Sequence, residues 1–166
     1  MKRLGKILTI VVVFVTLLVL SGYLLPRDHQ ASAERSYSIS QKVLFDSIRN
    51  FSDYPTWRTG LESIEKESET TWIELDSHGN RIRFGIVEEA SPSRLKTKIL
   101  SDDLPFGGGW EFEISPEDRG SKLRITETGF VTNPLFRILS KFVFGHDATM
   151  RTFLADLDRK FESKRE

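Results

Sequence analysis

The sequence predicts an α+β domain, an antiparallel sheet covered by a long C-terminal helix, carried behind one N-terminal transmembrane helix. Three features of the chain predict it. Residues 7–25 form an uncharged apolar run. From Leu61 onward, apolar and charged residues alternate with a period of two, in six segments separated mostly by turn residues. After Asn133 the apolar residues return to helical spacing.

At 166 residues the chain has room for one domain and its appendages. Formal net charge is zero, and beyond residue 28 the chain carries 20 basic and 23 acidic residues, interspersed. That balance gives no electrostatic footprint for nucleic acid. The absence of cysteine excludes disulfides, thiolate nucleophiles and Cys-containing zinc sites. Twelve Phe and three Trp against two Met point to an aromatic interior, either a core or an apolar cavity.

The elements follow in order. As a helix, 7–25 spans about 28 Å, close to the thickness of a bilayer's hydrocarbon core. It has no polar face, unlike an ordinary buried helix. Lys2, Arg3 and Lys6 precede it, so 1–6 is expected in the cytoplasm and the domain outside it, in the periplasm or extracellular space. The competing reading is a cleaved signal peptide, for which Ala31-Ser32-Ala33 supplies a site. Residues 26–32 read as a linker, 33–163 as the domain and 164–166 as a tail. A first strand is expected over 33–39, then a helix over 41–50 capped by Ser40, with Val43, Leu44 and Ile48 on its apolar face. An aromatic turn over 51–57 precedes strands at 61–69, 71–76, 81–89, 94–100, 109–115 and 121–128. Asn133-Pro134 starts the last helix, whose Leu135, Ile138, Leu139 and Phe142 are expected to face the core. Gly145-His146-Asp147 marks a kink or a break with a new cap, beyond which Phe153, Leu154, Leu157 and Phe161 continue the apolar face. The stretch 133–144 can also be read as a helix lying on a membrane surface.

Several segments carry a resemblance: Ser38-Ile-Ser-Gln-Lys-Val-Leu-Phe45, Asp53-Tyr-Pro-Thr-Trp57, Gly109-Trp-Glu-Phe-Glu-Ile114, Leu123-Arg-Ile-Thr-Glu-Thr-Gly129 and Asn133-Pro-Leu-Phe136. In that order they resemble the START-like helix-grip superfamily (SRPBCC), which includes polyketide cyclase/dehydrase, coenzyme-Q-binding and birch-pollen-allergen types. The resemblance covers roughly 33–163. It implies a curved antiparallel sheet of about seven strands around a long C-terminal helix, with an apolar cavity between them. It does not imply one chemistry, because a fold hosts many functions.

The residues expected to line that cavity are Phe84, Ile86, Leu95, Ile99, Trp110, Phe112, Leu123, Ile125, Leu139, Phe142, Phe153 and Leu157. Taken singly, each can equally be plain core. Leu104 and Phe106, beside three glycines in the loop 102–109, are expected as a lid or portal, as an apolar tip touching the bilayer, or as a long hairpin turn whose Phe packs on the sheet edge. By alternation Glu127 shares the face of Leu123 and Ile125. It is the one catalytic candidate, as a general acid or base or as an anchor for a polar ligand head. Alternatively the strand bulges near Gly129 and leaves the carboxylate in water. His29, His78 and His146 lack the spacing of metal ligands, and no nucleophile elbow is present. The sequence therefore points to binding of a hydrophobic small molecule or lipid, with no cofactor and no metal. A cyclase/dehydrase-like enzyme and a protein-interaction module with a filled core are the alternatives. The membrane is a partner through 7–25, and a protein partner stays open.

Overall fold

The computed structural model describes residues 2–139, 141 and 147–162. Helix α1 (Lys2–Leu24) leads into β1 (Asp28–Tyr37), α2 (Gln41–Arg49) and a short 3-10 segment (Phe51–Thr56). Six strands follow: β2 (Leu61–Lys66), β3 (Thr71–Asp76), β4 (Arg81–Ala90), β5 (Arg94–Ile99), β6 (Phe106–Glu117) and β7 (Gly120–Val131). Two helices, α3 (Pro134–Leu139) and α4 (Ala148–Glu162), close the described chain.

All seven strands form one antiparallel sheet in the order β1-β7-β6-β5-β4-β3-β2. Strands β2 to β7 are consecutive neighbours, each joined to the next by a local connection. Only β1 pairs over a long separation, lying along β7 from Asp28↔Phe130 to Tyr37↔Ser121. The alternation of each strand puts Trp72, Phe84, Leu95, Phe112, Leu123 and Ile125 on the concave face. The other face is charged, with ladders such as Arg94 and Lys96 against Glu88 and Glu111.

Helix α4 fills the concave side. Met150, Phe153, Leu154, Leu157 and Phe161 recur at helical spacing and are all buried. Helix α2 closes one end of the sheet: Ser40 Oγ accepts from Val43 N at its N-terminus, and Gln41 Nε2 donates to the Ile114 carbonyl at 2.6 Å. Asp156, 1 % exposed, pins the 57–60 segment to α4 by accepting from Thr59 N and Thr59 Oγ1, each at 2.8 Å, and from Arg159.

Four expectations are corrected. Most of the expected linker 26–32 is strand, because β1 starts at Asp28 and gains its ladder from β7. The loop 102–109 is shorter than expected, since Phe106 to Gly109 already pair with β7. On α2 the inward residue is Phe45 rather than Val43, which is 48 % exposed. Finally, α3 buries none of its residues and leaves Leu135, Phe136 and Leu139 exposed, so it is not a core helix. Its Asn133 cap does form, with the side-chain oxygen accepting from Leu135 N and Phe136 N. The stretch around His146 lies outside the described residues.

Candidate functional site

Between the sheet and the first turns of α4 lies a cavity of about 590 Å³. That is the size of a small-molecule site. Its existence follows from what stands at each end of β6. At the Ile114 end, Leu44, Phe45, Leu95, Leu123, Ile125 and Leu157 are packed solid under α2. At the Phe106 end three successive wall positions carry no side chain: Gly107, Gly108 and Gly109 face Phe130, Gly129 and Thr128 across the ladder. Gly108 is required there, because its φ is +137° and a Cβ would strike the Thr128 carbonyl. On α4 the wall is the small Ala148 and Thr149.

Phe153 separates the packed end from the open one. Its ring meets Trp57 at 5.3 Å, Trp110 at 5.4 Å, Phe112 at 5.7 Å and Tyr54 at 6.2 Å. A second aromatic wall stacks Phe51 on Trp72 at 4.2 Å and Trp72 on Phe84 at 5.8 Å.

Two carboxylates reach the cavity, each held by an indole. Trp110 stands opposite Glu127 in the β6–β7 register, and its Nε1 donates to Glu127 Oε2 at 2.8 Å. His29 Nε2 lies 3.4 Å from Glu127 Oε1. On the far wall Trp72 Nε1 donates to Glu74 Oε1 at 3.1 Å, and Arg58 Nη1 donates to the same oxygen at 2.8 Å. Arg58 also lies over the rings of Tyr54 and Phe153, at 4.8 and 5.5 Å. Unpaired, either carboxylate would make this partly dry space costly; paired, each keeps spare acceptor capacity. Tyr54 donates its hydroxyl to the Ile48 carbonyl at 2.6 Å, and burial pushes its pKa well above that of a free phenol, so it stays neutral.

Of the residues expected at the cavity, Phe84, Ile99, Trp110, Phe112, Leu139 and Phe153 line it, together with Phe106 and Glu127. Leu95, Leu123, Ile125 and Leu157 belong to the packed end. Ile86 packs against that core, and Leu104 is half-buried away from the lining. Phe142 lies outside the described residues. Strand β7 runs on past Glu127 without a bulge, so the carboxylate is not in open water; its side chain is 20 % exposed. Sequence reasoning missed His29, Arg58 and Glu74. For Glu74 a signal existed, since alternation in β3 puts it on the face of Trp72. His29 was hidden by the linker reading. For Arg58 there was no local signal.

No family model matches the chain, and no curated protein does. Solved structures do. A START superfamily protein from Mycobacterium smegmatis superposes with a TM-score of 0.64 at 14 % identity, covering 83 % of this chain and 99 % of its own. The protein XoxI from Bacillus cereus gives 0.55 at 14 % identity, covering 81 % and 99 %. The di-domain aromatase/cyclase StfQ of the steffimycin biosynthetic pathway gives 0.60 at 10 % identity, covering 82 % of this chain and 53 % of its own. The order of elements, the single antiparallel sheet, the gripped C-terminal helix and these superpositions agree: the chain has the START-like helix-grip fold.

Proposed function

We propose that the protein is a membrane-anchored binding domain that takes a hydrophobic small molecule or lipid into the cavity between the sheet and α4. The cavity carries this reading: about 590 Å³ walled mainly by aromatic and aliphatic side chains, with Glu127 and Glu74 at separate walls. Apolar ligand surface supplies the affinity, at about 25 cal/mol per Å² removed from water. The carboxylates orient whatever hydrogen-bond donors the ligand has. A filled-core interaction module does not accord with a space of this size.

Residues 7–25 serve as the anchor, and 33–163, extended by the start of β1, as the ligand-binding domain. Gly5–Leu24 is long and apolar enough to cross a membrane. Cleavage after Ala33 would strip Asp28 to Ala33 from the β1–β7 ladder and remove His29 from the cavity. That cost supports a retained anchor. Lys2, Arg3 and Lys6 favour a cytoplasmic N-terminus with the domain on the opposite side.

The test is mass spectrometry of what co-purifies with the full chain from membranes, followed by displacement with a fluorescent fatty acid. An apolar ligand, displaced one for one, is expected. No apolar ligand and no fatty-acid binding would overturn the reading. One observation favours a second reading: Glu127 and His29, both able to carry a proton, meet at the cavity wall. A cyclase/dehydrase-like enzyme would convert the co-purified ligand on incubation with fresh protein, and Glu127→Gln would stop the conversion.

A further inference from the structure

Helix α1 does not trail from the domain on a loose tether. Its last turns pack against α3, and a Cβ at Gly22 would run into the Pro134 carbonyl, so the two helices touch backbone to backbone. Arg137 locks the joint. Its Nε donates to the Val131 carbonyl at 2.8 Å, Nη2 to Thr132 at 3.0 Å and Nη1 to Leu25 at 3.3 Å. Val131 N donates to the Arg27 carbonyl at 2.9 Å, which ties the chain leaving α1 to the end of β7.

The joint fixes what lies at the end of α1. Beside it α3 presents Leu135, Phe136 and Leu139, which are 39, 47 and 39 % exposed. Phe136 and Leu139 also line the cavity, so the cavity reaches the surface there. The candidate span of α1 is only 6 % buried in the protein, so its apolar side chains are left to be covered by something else. The exposed apolar residues of α3 lie on a helix in contact with that span.

From this we propose that α3 is a membrane-contacting helix. The leaflet in which α1 ends covers the cavity mouth, and apolar ligand passes between leaflet and cavity beside Phe136 and Leu139 without crossing water. The proposal rests on the anchored, ligand-binding reading above.

The chain has no cysteine, so single-cysteine variants can be labelled cleanly. In full-length protein in phosphatidylcholine nanodiscs, Leu135→Cys carries an environment-sensitive fluorophore, and nitroxide lipid is the quencher. Asp118→Cys, in the hairpin at the far end of β6, is the control; it lies roughly 35 Å from the Phe106 end. Strong quenching at 135 and none at 118 is expected. Equal quenching at the two positions would overturn the docking surface. Leu135 is outside the cavity lining, so Leu135→Glu should leave binding of dansyl-undecanoic acid in micelles unchanged. The same variant should slow transfer of that probe from phosphatidylcholine vesicles about fivefold, the effect of taking a two-fifths exposed leucine off the bilayer. Unchanged transfer would overturn the ligand route. Quenching at 135 without any probe binding in micelles would overturn the binding reading instead and leave the membrane contact standing.

Discussion

Replacing Phe153 with alanine tests whether one ring divides a packed core from an open cavity. The side chain is 3 % exposed and meets four other aromatic rings at 5.3–6.2 Å. Removing a fully buried phenyl group costs about 2–3 kcal/mol in transfer alone. The lost edge-to-face contacts add about 0.5 kcal/mol or more each. Phe→Ala substitutions in closed cores therefore cost about 3–5 kcal/mol. Here one side of the ring borders about 590 Å³ of existing space. The void left behind merges with that space, so the part of the penalty that grows with new cavity is reduced. The expected loss is about 3 kcal/mol, at the lower end of that range. Leu157, with no exposed surface and packed on all sides, should cost as much as an alanine variant despite its smaller side chain. Urea unfolding of the full chain in micelles, followed by tryptophan fluorescence, measures both. A loss above about 5 kcal/mol for Phe153→Ala would mean a closed core with no cavity beside the ring, and below about 1 kcal/mol an unpacked ring. Either value refutes the division.

Three further outcomes follow from the same geometry. Glu127→Gln keeps an oxygen for the Trp110 indole but loses the charge; binding of a ligand with a hydroxyl or amine head should weaken about tenfold, while a headless alkane binds as before, by calorimetry. Asp156→Asn disturbs a carboxylate holding Thr59 and Arg159, and should cost about 2–4 kcal/mol in urea unfolding. Hydrogen bonds from Lys122 and Arg124 hold the Glu34 pKa below its ordinary value of 4.5. A depressed folded-state pKa contributes stability above the unfolded value, lost as the pH falls through the folded one. Stability should therefore drop in acid below about pH 4.5, and Glu34→Gln should flatten that limb in pH-dependent thermal melts.

Strands β4 and β5 were legible because their inward positions, Ile82, Phe84, Ile86, Leu95 and Ile99, are large and apolar while most of their outward ones are charged. The start of β1 was not, because its inward positions are His29, Ala31 and Ala33, which give little contrast in hydropathy. Gly107 to Gly109 read as a turn by composition. In the folded chain they are strand residues whose missing side chains let Thr128 and Gly129 come close. Alternation identified the inward face well enough to find Phe84, Ile99, Trp110 and Phe112. It carries no information on position along the strand. Leu95 and Ile125, equally inward, therefore ended in the packed half under α2. The placement of α3 was not legible either, because it is set against α1 by contacts between residues more than a hundred positions apart.

The two cavity carboxylates show how stability and recognition are joined in this fold. A carboxylate facing apolar space is tolerated only with donors at hand. Trp72 and Trp110 supply them, and each indole also forms part of the aromatic wall. An indole N–H offers a single donor, while a carboxylate accepts several, so Glu74 and Glu127 retain acceptor sites once held. A ligand therefore need not displace the protein's own hydrogen bonds in order to be oriented. Its donors complete a set that the indoles have begun, while its apolar body covers the same rings.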